Sequence, residues 1–296
     1  MLEAGDDHEP EVWDYSELVA DQFIPDFQRL APKIVHAGKL TLADLATRGS
    51  FKCEYKVVNE QHIPGEVTPC IREQEDYCQD WDMRSIQSSF PLFSPRDVEV
   101  PYSDGASINE IIPQKVFVNN KALFYKSCYS PLDAIPEVEK YSKISASGHS
   151  QTDLRTSRLF GIVVYPNGGA KGLLYEWIQT DNPGTLTWAV EESVSKDQKE
   201  KWASQVESTV ARLHGLGIIW GDVKADNVLI DMDNNAVVID FGGGTTKGWV
   251  EHALQGTLEG DTQGMERLLD FILNDNSPLR LRNRAQSEYS DEEDWD

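Results

Sequence analysis

Two short apolar runs, NVLI at 227–230 and AVVI at 236–239, flank a polar turn at 231–235. Runs of this length rich in β-branched residues read as strands, and the Asp/Asn-rich link between them reads as the turn of an antiparallel hairpin. A hairpin returns the chain to its starting point. Asp222 and Asn227, at its entrance, are therefore brought beside Asp240 at its exit, although Asp222 and Asp240 are 18 positions apart. Hard oxygen ligands of this kind suit Mg²⁺, which takes one or two carboxylates and substrate phosphates. Lys224, two residues after Asp222, adds a cation able to neutralise a phosphoryl group in transfer. The pattern is a phosphoryl-transfer set.

The surrounding pattern is mixed helix and strand. KVFVNNKALFYKSC reads as two strands about Asn119-Asn120, and PEVEKYSKI as a short amphipathic helix beginning at Pro136. LFGIVVYPNGGAKGLLYEWI reads as another hairpin with Pro-Asn-Gly-Gly at its turn. Then helices dominate. DQKEKWASQVESTVARLH places Trp202, Val206, Val210 and Leu213 on one stripe. GDTQGMERLLDFIL offers Asp261 as an N-cap, with Met265, Leu268, Leu269 and Ile272 as its apolar face. Upstream, LTLADLA predicts a helix begun at Thr41, and FKCEYKVV alternates as a strand. The prolines of FPLFSPRD mark a boundary, so residues 1–98 form an N-terminal α+β extension. The acidic SEYSDEEDWD closes the chain without a core-forming pattern and is expected to be disordered.

Charge narrows the partners. With 27 Lys and Arg against 50 Asp and Glu, the net charge is −23, which leaves no basic footprint for nucleic acid or an anionic membrane. Any anion must be held by a local site. No apolar run has the length of a bilayer span, and the acidic start MLEAGDDHEPE is unlike a secretory or transit segment. Cys53, Cys70, Cys78 and Cys128 contain no C-x-x-C pair, so reduced thiols in a cytoplasmic or nuclear protein are expected.

The stretch WGDVKADN, followed 13 residues after Asn227 by Asp240-Phe241-Gly242, resembles the catalytic loop and D-F-G of eukaryotic protein kinases. More closely, IIWGDVKADNVLI with VVIDFGGG, GWV and EGD is similar to a group of fungal protein-kinase-like proteins. The resemblance runs over about residues 99–277 and is stronger in its second half. It implies an α+β, bilobal kinase-like fold: an N-lobe at 99–179, a shortened C-lobe at 180–277, and the acidic tail at 278–296. It implies ATP and Mg²⁺ as cofactors. Asp222 matches the catalytic aspartate, Lys224 the loop lysine, and Asn227 and Asp240 the metal ligands. Lys126 matches the lysine on the α- and β-phosphates, and Glu137 its helix partner, with Glu139 a rival two positions on. Tyr175 matches the gatekeeper, the backbones of Glu176 and Ile178 the adenine contacts, and Asp261 the brace of the catalytic loop.

The departures carry their own implications. SDGASINEII holds one glycine where a glycine-rich phosphate lid is usual, which implies weak ATP affinity. Trp220-Gly221 replaces His-Arg, removing the usual partner of an activating phosphate; Trp220 is expected as a core aromatic packing under Phe241. Only 20 residues lie between Asp240 and Asp261, without A-P-E, so the peptide platform is abbreviated. The leading expectation is a Ser/Thr-directed kinase with an unknown phosphoacceptor. A small-molecule phosphotransferase of aminoglycoside or choline type, sharing Gly221-Asp222, and an ATP-binding pseudokinase are the alternatives.

Overall fold

A computed structural model describes residues 21–30, 39–46, 50–58, 61–70, 90–101, 114–128, 131–166, 168–191, 193–244 and 246–280. The acidic C-terminus from 281, the glycine-poor SDGASINEII and Cys78 lie outside the described residues. The chain divides into two compact units, Met1–Tyr77 and Cys78–Asp296.

The first unit holds helix α1 (Ile24–Leu30), the short strand β1 (Leu40–Thr41), helix α2 (Leu42–Ala46), and strands β2 (Ser50–Val58) and β3 (Gln61–Cys70). Helix α2 starts after Thr41 because the Asp44 carboxylate accepts from the Thr41 amide at 2.8 Å and its hydroxyl at 2.7 Å. That satisfies a donor the helix leaves open. Strands β2 and β3 pair antiparallel from Ser50↔Cys70 to Val58↔Gln61, with one slip between Cys53 and Tyr55. Phe23 packs on Tyr55 with ring centroids 6.3 Å apart.

The second unit opens with β4 (Leu92–Phe93) and β5 (Glu99–Val100), followed by β6 (Lys115–Val118), β7 (Lys121–Ser127) and helix α3 (Pro131–Ala146). Strands β8 (Leu159–Val164), β9 (Ala170–Glu176) and β10 (Thr180–Thr185) and the one-turn α4 (Leu186–Ala189) lead to the long α5 (Lys196–Gly215). Strands β11 (Val228–Asp231) and β12 (Ala236–Val238) and helix α6 (Leu258–Leu273) complete it. Within this unit one sheet runs in the order β5-β6-β7-β9-β8-β4, and a smaller one in the order β10-β11-β12. The class is α+β. Strand β4, from the proline-marked segment, pairs parallel with β8 through Leu92↔Ile162, so this sheet already takes in residues before 99.

The hairpins follow their turn residues. Asn119 and Asn120 both take positive φ, 50° and 65°, which matches the right-handed twist of β6 and β7. Helix α3 begins at Pro131, five residues before the expected start at Pro136, which lies inside it. A proline there removes one N–H near the helix's open end. The buried stripe of Ala134, Val138, Tyr141 and Ile144 carries the helix through it.

Helix α6 is capped by Thr257, whose hydroxyl accepts from the Gly260 amide at 3.0 Å, and not by Asp261 as the sequence suggested. Asp261 sits one turn inside the helix, which frees its carboxylate for another role. The buried Trp202, Val206, Val210 and Leu213 of α5 and Met265, Leu268, Phe271 and Ile272 of α6 share one apolar core with α3 and both sheets. At Gly264 an added Cβ would lie 2.6 Å from Val223 Cβ, so a bare helix surface is what lets the 220–227 loop lie against α6. Beyond α6, Arg280 is buried, donating to the carboxylate of Asp275 and, at 3.3 Å, to the carbonyl of Ile272.

Candidate active site

Three local structures converge. The β11–β12 hairpin pairs Val228 with Val238, and the Ile239 amide donates to the Asn227 carbonyl at 3.0 Å. That brings the loop before β11 beside the segment after β12, as the spacing required. Asp222 and Asn227 are 7% and 6% exposed, and the Asn227 amide nitrogen donates to both the carbonyl and Oδ2 of Asp222, each at 2.9 Å. The Asn227 side-chain oxygen is thereby turned away from Asp222. Lys224 Nζ lies 2.8 Å from Asp222 Oδ2.

The loop is held from below by Asp261, 2% exposed. Its Oδ2 accepts from the Trp220 amide at 2.7 Å and pairs with His214 Nε2 at 2.8 Å; its Oδ1 accepts from the Gly221 amide at 2.8 Å. Trp220 is fully buried, and its indole N–H is shared between the carbonyls of Ile239 and Asp240 at 3.0 and 3.1 Å. One residue thus ties the two ends of the hairpin together. Phe241 is buried too, its ring edge-on to Tyr141 at 5.2 Å.

Asp240 has a φ of 58°, in the left-handed region that Asp tolerates better than most residues. Its Oδ1 accepts from the Gly242 amide at 3.1 Å and from Lys126 Nζ at 2.7 Å. Lys126, on β7, also reaches Glu137 Oε2 at 2.9 Å. Burial works to lower the Lys126 pKa, but the carboxylates of Glu137 and Asp240 outweigh it and raise the pKa above the usual lysine value. Glu137 is 2% exposed, whereas Glu139 is exposed, so the lysine's partner is Glu137. The second Glu137 oxygen accepts from the Tyr175 hydroxyl at 2.7 Å.

Glu176 and Ile178 lie where β9 gives way to the link toward β10. The Glu176 amide donates to the Arg158 carbonyl at 2.9 Å, and its carboxylate pairs with Lys121 at 2.7 Å. A groove of about 920 Å³ lies apart from all these side chains, lined by Lys247, Val250, Glu251, Arg267, Asp270 and Leu279. Its lining residues carry none of the candidate chemistry.

No protein-family model matches the chain. Segments of it are similar to serine/threonine protein kinases. It is 43% identical over 49 residues to the serine/threonine-protein kinase kin-29 of Caenorhabditis elegans, covering 17% of this chain and 6% of that protein. It is 31% identical over 87 residues to Sgk1-B of Xenopus laevis, 29% of this chain and 17% of that protein. To the RAC serine/threonine-protein kinase of Drosophila melanogaster it is 34% identical over 67 residues, 22% and 11% respectively. The chain thus spans less than a fifth of each of these relatives, and the likeness is to a protein-kinase-like family over part of its length.

Two residues of this site escaped the sequence reading. Thr246 Oγ1 accepts from Lys224 Nζ at 2.9 Å and lies 3.4 Å from Asp222 Oδ1, so it bridges the two. Nothing in the run GTTKG distinguishes it from Thr245. Lys140 Nζ donates to the carbonyls of Phe241 at 2.9 Å and Trp220 at 3.4 Å. One signal was present: Lys140 lies three residues after Glu137, on the same face of a helix.

Among the described residues no group of three or more His, Cys, Asp or Glu side chains is arranged to hold a metal ion. Asp240 and Asn227 instead offer one carboxylate and one amide oxygen. That set fits Mg²⁺ held jointly with a substrate's phosphates, and does not fit a cation caged by protein alone. No helix among the described residues is long and apolar enough to cross a membrane.

Proposed function

We propose that the chain is an ATP- and Mg²⁺-dependent phosphotransferase of protein-kinase type, directed at serine or threonine hydroxyls. Its loop is of the W-G-D form resembling the fungal kinase-like proteins, and it works in the cytoplasm or nucleus. In this reading residues 99–179, with β5–β9 and α3, are the N-lobe, and residues 180–277, from β10 to α6, the shortened C-lobe. The observation that carries it is the placement of one ammonium, Lys126 Nζ, on Glu137 at 2.9 Å and on Asp240 at 2.7 Å. That contact joins a strand, a helix and the hairpin mouth at one point.

The roles proposed for these residues are those the resemblance implies. Lys126 holds the phosphates of ATP, and the backbones of Glu176 and Ile178 face its adenine. Asp222 orients the acceptor hydroxyl and takes its proton as the new O–P bond to the γ-phosphorus forms and the bond to the β-phosphate oxygen breaks, releasing ADP. Lys224 and Thr246 hold the Asp222 carboxylate in place. Asp240 and Asn227 would hold Mg²⁺, which supplies charge neutralisation at the phosphates. The contact of Lys224 with Thr246 supports the protein-kinase reading over the small-molecule one, because it gives the loop lysine a place in positioning the aspartate.

The test is transfer from γ-labelled ATP by the purified protein, toward itself and generic Ser/Thr acceptors, beside Asp222→Asn. Wild type is expected to transfer, and the variant to lose orders of magnitude in turnover while still binding ATP. Equal transfer by both, or binding without transfer by wild type, leaves a pseudokinase. Phosphorylation of a small amino-alcohol and of no protein favours the small-molecule alternative.

A further inference from the structure

Helix α3 reaches the hairpin mouth twice. Glu137 does so through Lys126, and Lys140, one turn on, does so directly. The Lys140 ammonium lies 2.9 Å from the Phe241 carbonyl and 3.4 Å from that of Trp220. These are backbone atoms of the two segments that carry the site: Phe241 follows Asp240, and Trp220 stands two residues before Asp222. The contacts span 101 and 80 residues of chain.

Gly221 borders this cation. Gly221 has a φ of 91°, which an L side chain rarely adopts, and a Cβ added there would lie 3.7 Å from Lys140 Nζ and 3.5 Å from Gly243 Cα. Where the resemblance implies an arginine, this chain leaves room, and the ammonium of Lys140 lies beside it. Among the described residues Lys140 has no carboxylate within ion-pair distance; its partners are carbonyls. Burial lowers its pKa, against the opposing fields of Asp261, Glu137 and Asp240. A lysine taken partly out of water for carbonyls alone gains little as an ion pair, so what distinguishes it is the geometry it imposes.

We propose that Lys140 is a positioning residue that fastens α3 to the backbones on either side of the site, keeping Glu137 against Lys126. The inference rests on the kinase reading for its catalytic consequence, but the fastening itself does not. With the ammonium in place, α3 is docked by the fold alone. Without it, α3 remains attached through its apolar face and is free to rock about Tyr141, and the Glu137–Lys126 contact loosens.

The experiment compares full-length wild type, Lys140→Met and Lys140→Arg by hydrogen exchange over residues 137–146, by Mg-ATP affinity from thermal shift, and by KM and kcat for ATP. In Lys140→Met the α3 amides are expected to exchange faster while those of β8 and β9 do not. Mg-ATP affinity should fall about tenfold, the scale of one lost charge-assisted hydrogen bond. KM should rise with it, and Lys140→Arg, which keeps charge and donors, should recover most of the loss. If Lys140→Met does not fold, Lys140→Gln takes its place under the same criteria. A folded variant with wild-type exchange in α3 overturns the fastening. Faster exchange with unchanged Mg-ATP affinity and KM shows Lys140 to be merely structural and overturns its positioning role. If wild type binds no Mg-ATP, the kinase reading fails instead, and the exchange comparison still decides the fastening.

Discussion

The Tyr175 hydroxyl donates to Oε1 of Glu137 at 2.7 Å, while Lys126 occupies Oε2 at 2.9 Å, so both oxygens of a buried carboxylate are taken. Burial, and then the Glu137 charge, hold the Tyr175 pKa well above its usual value, so the phenol remains a donor at any working pH. Tyr175 is thus part of the mounting of Glu137. Tyr175→Phe preserves the ring but leaves one oxygen of a buried charge without its donor. A loss of about 1–3 kcal/mol in unfolding free energy is expected from denaturant titration. Unchanged stability would mean that the oxygen finds another donor.

Lys126→Met should abolish most of the stabilisation by Mg-ATP. For wild type at about 100 times its Kd that stabilisation is about 2.7 kcal/mol. Glu139→Gln, on the exposed side of α3, should leave it unchanged, whereas Glu137→Gln should reduce it. Thermal shifts across the three variants check this, and equal effects at 137 and 139 would remove the assignment of Glu137.

Thr246→Val keeps the shape of the side chain and removes the hydroxyl between Lys224 and Asp222. Turnover should fall about tenfold to a hundredfold with ATP affinity unaltered, the range for one charge-assisted hydrogen bond acting on the transition state. Asp240→Asn should behave in the opposite manner, weakening Mg²⁺-dependent ATP binding itself. Steady-state kinetics beside binding measurements separate the two. A loss of binding in Thr246→Val would place the threonine on nucleotide rather than on Asp222.

Asp275 serves two buried cations, accepting from Lys199 Nζ at 2.7 Å and from Arg280. The hydrogen bond from Lys199, and then that from Arg280, hold its pKa below the ordinary aspartate value. A depressed acid contributes stability that is present above its unfolded pKa, about 3.9, and is lost as pH falls through the lower folded value. Asp275→Asn should therefore lower the melting temperature at pH 7, and the gap from wild type should close on acidification below about pH 4. A gap independent of pH would show that the carboxylate's charge is not what matters.

Much of the site was readable because it is local. Asp222, Asn227 and Asp240 meet through one hairpin, and hairpin pairing follows from strand length and turn residues alone. The stripes of α5 and α6 were readable for the same reason, since helical period and burial coincide. Where a neighbour's identity mattered, the sequence was silent or misleading. Asp261 has the composition of an N-cap, yet Thr257 caps the helix, because the Asp261 carboxylate is used by amides about 40 residues earlier. Glu137 and Glu139 were equivalent until a sheet faced one of them. The helical period sets Glu137 and Glu139 on different faces, but which face is buried depends on what packs against it, and that surface comes from strands distant in the chain. The sequence by itself determined the hairpin, its oxygen-bearing mouth and the apolar faces of the helices, all set by interactions within a few residues. Only the tertiary structure decided that Lys126 bridges Glu137 and Asp240, that Tyr175 mounts Glu137, and that Lys140 reaches Phe241. Those contacts close loops of 11 to 114 residues, and their geometry exists only once the core has packed.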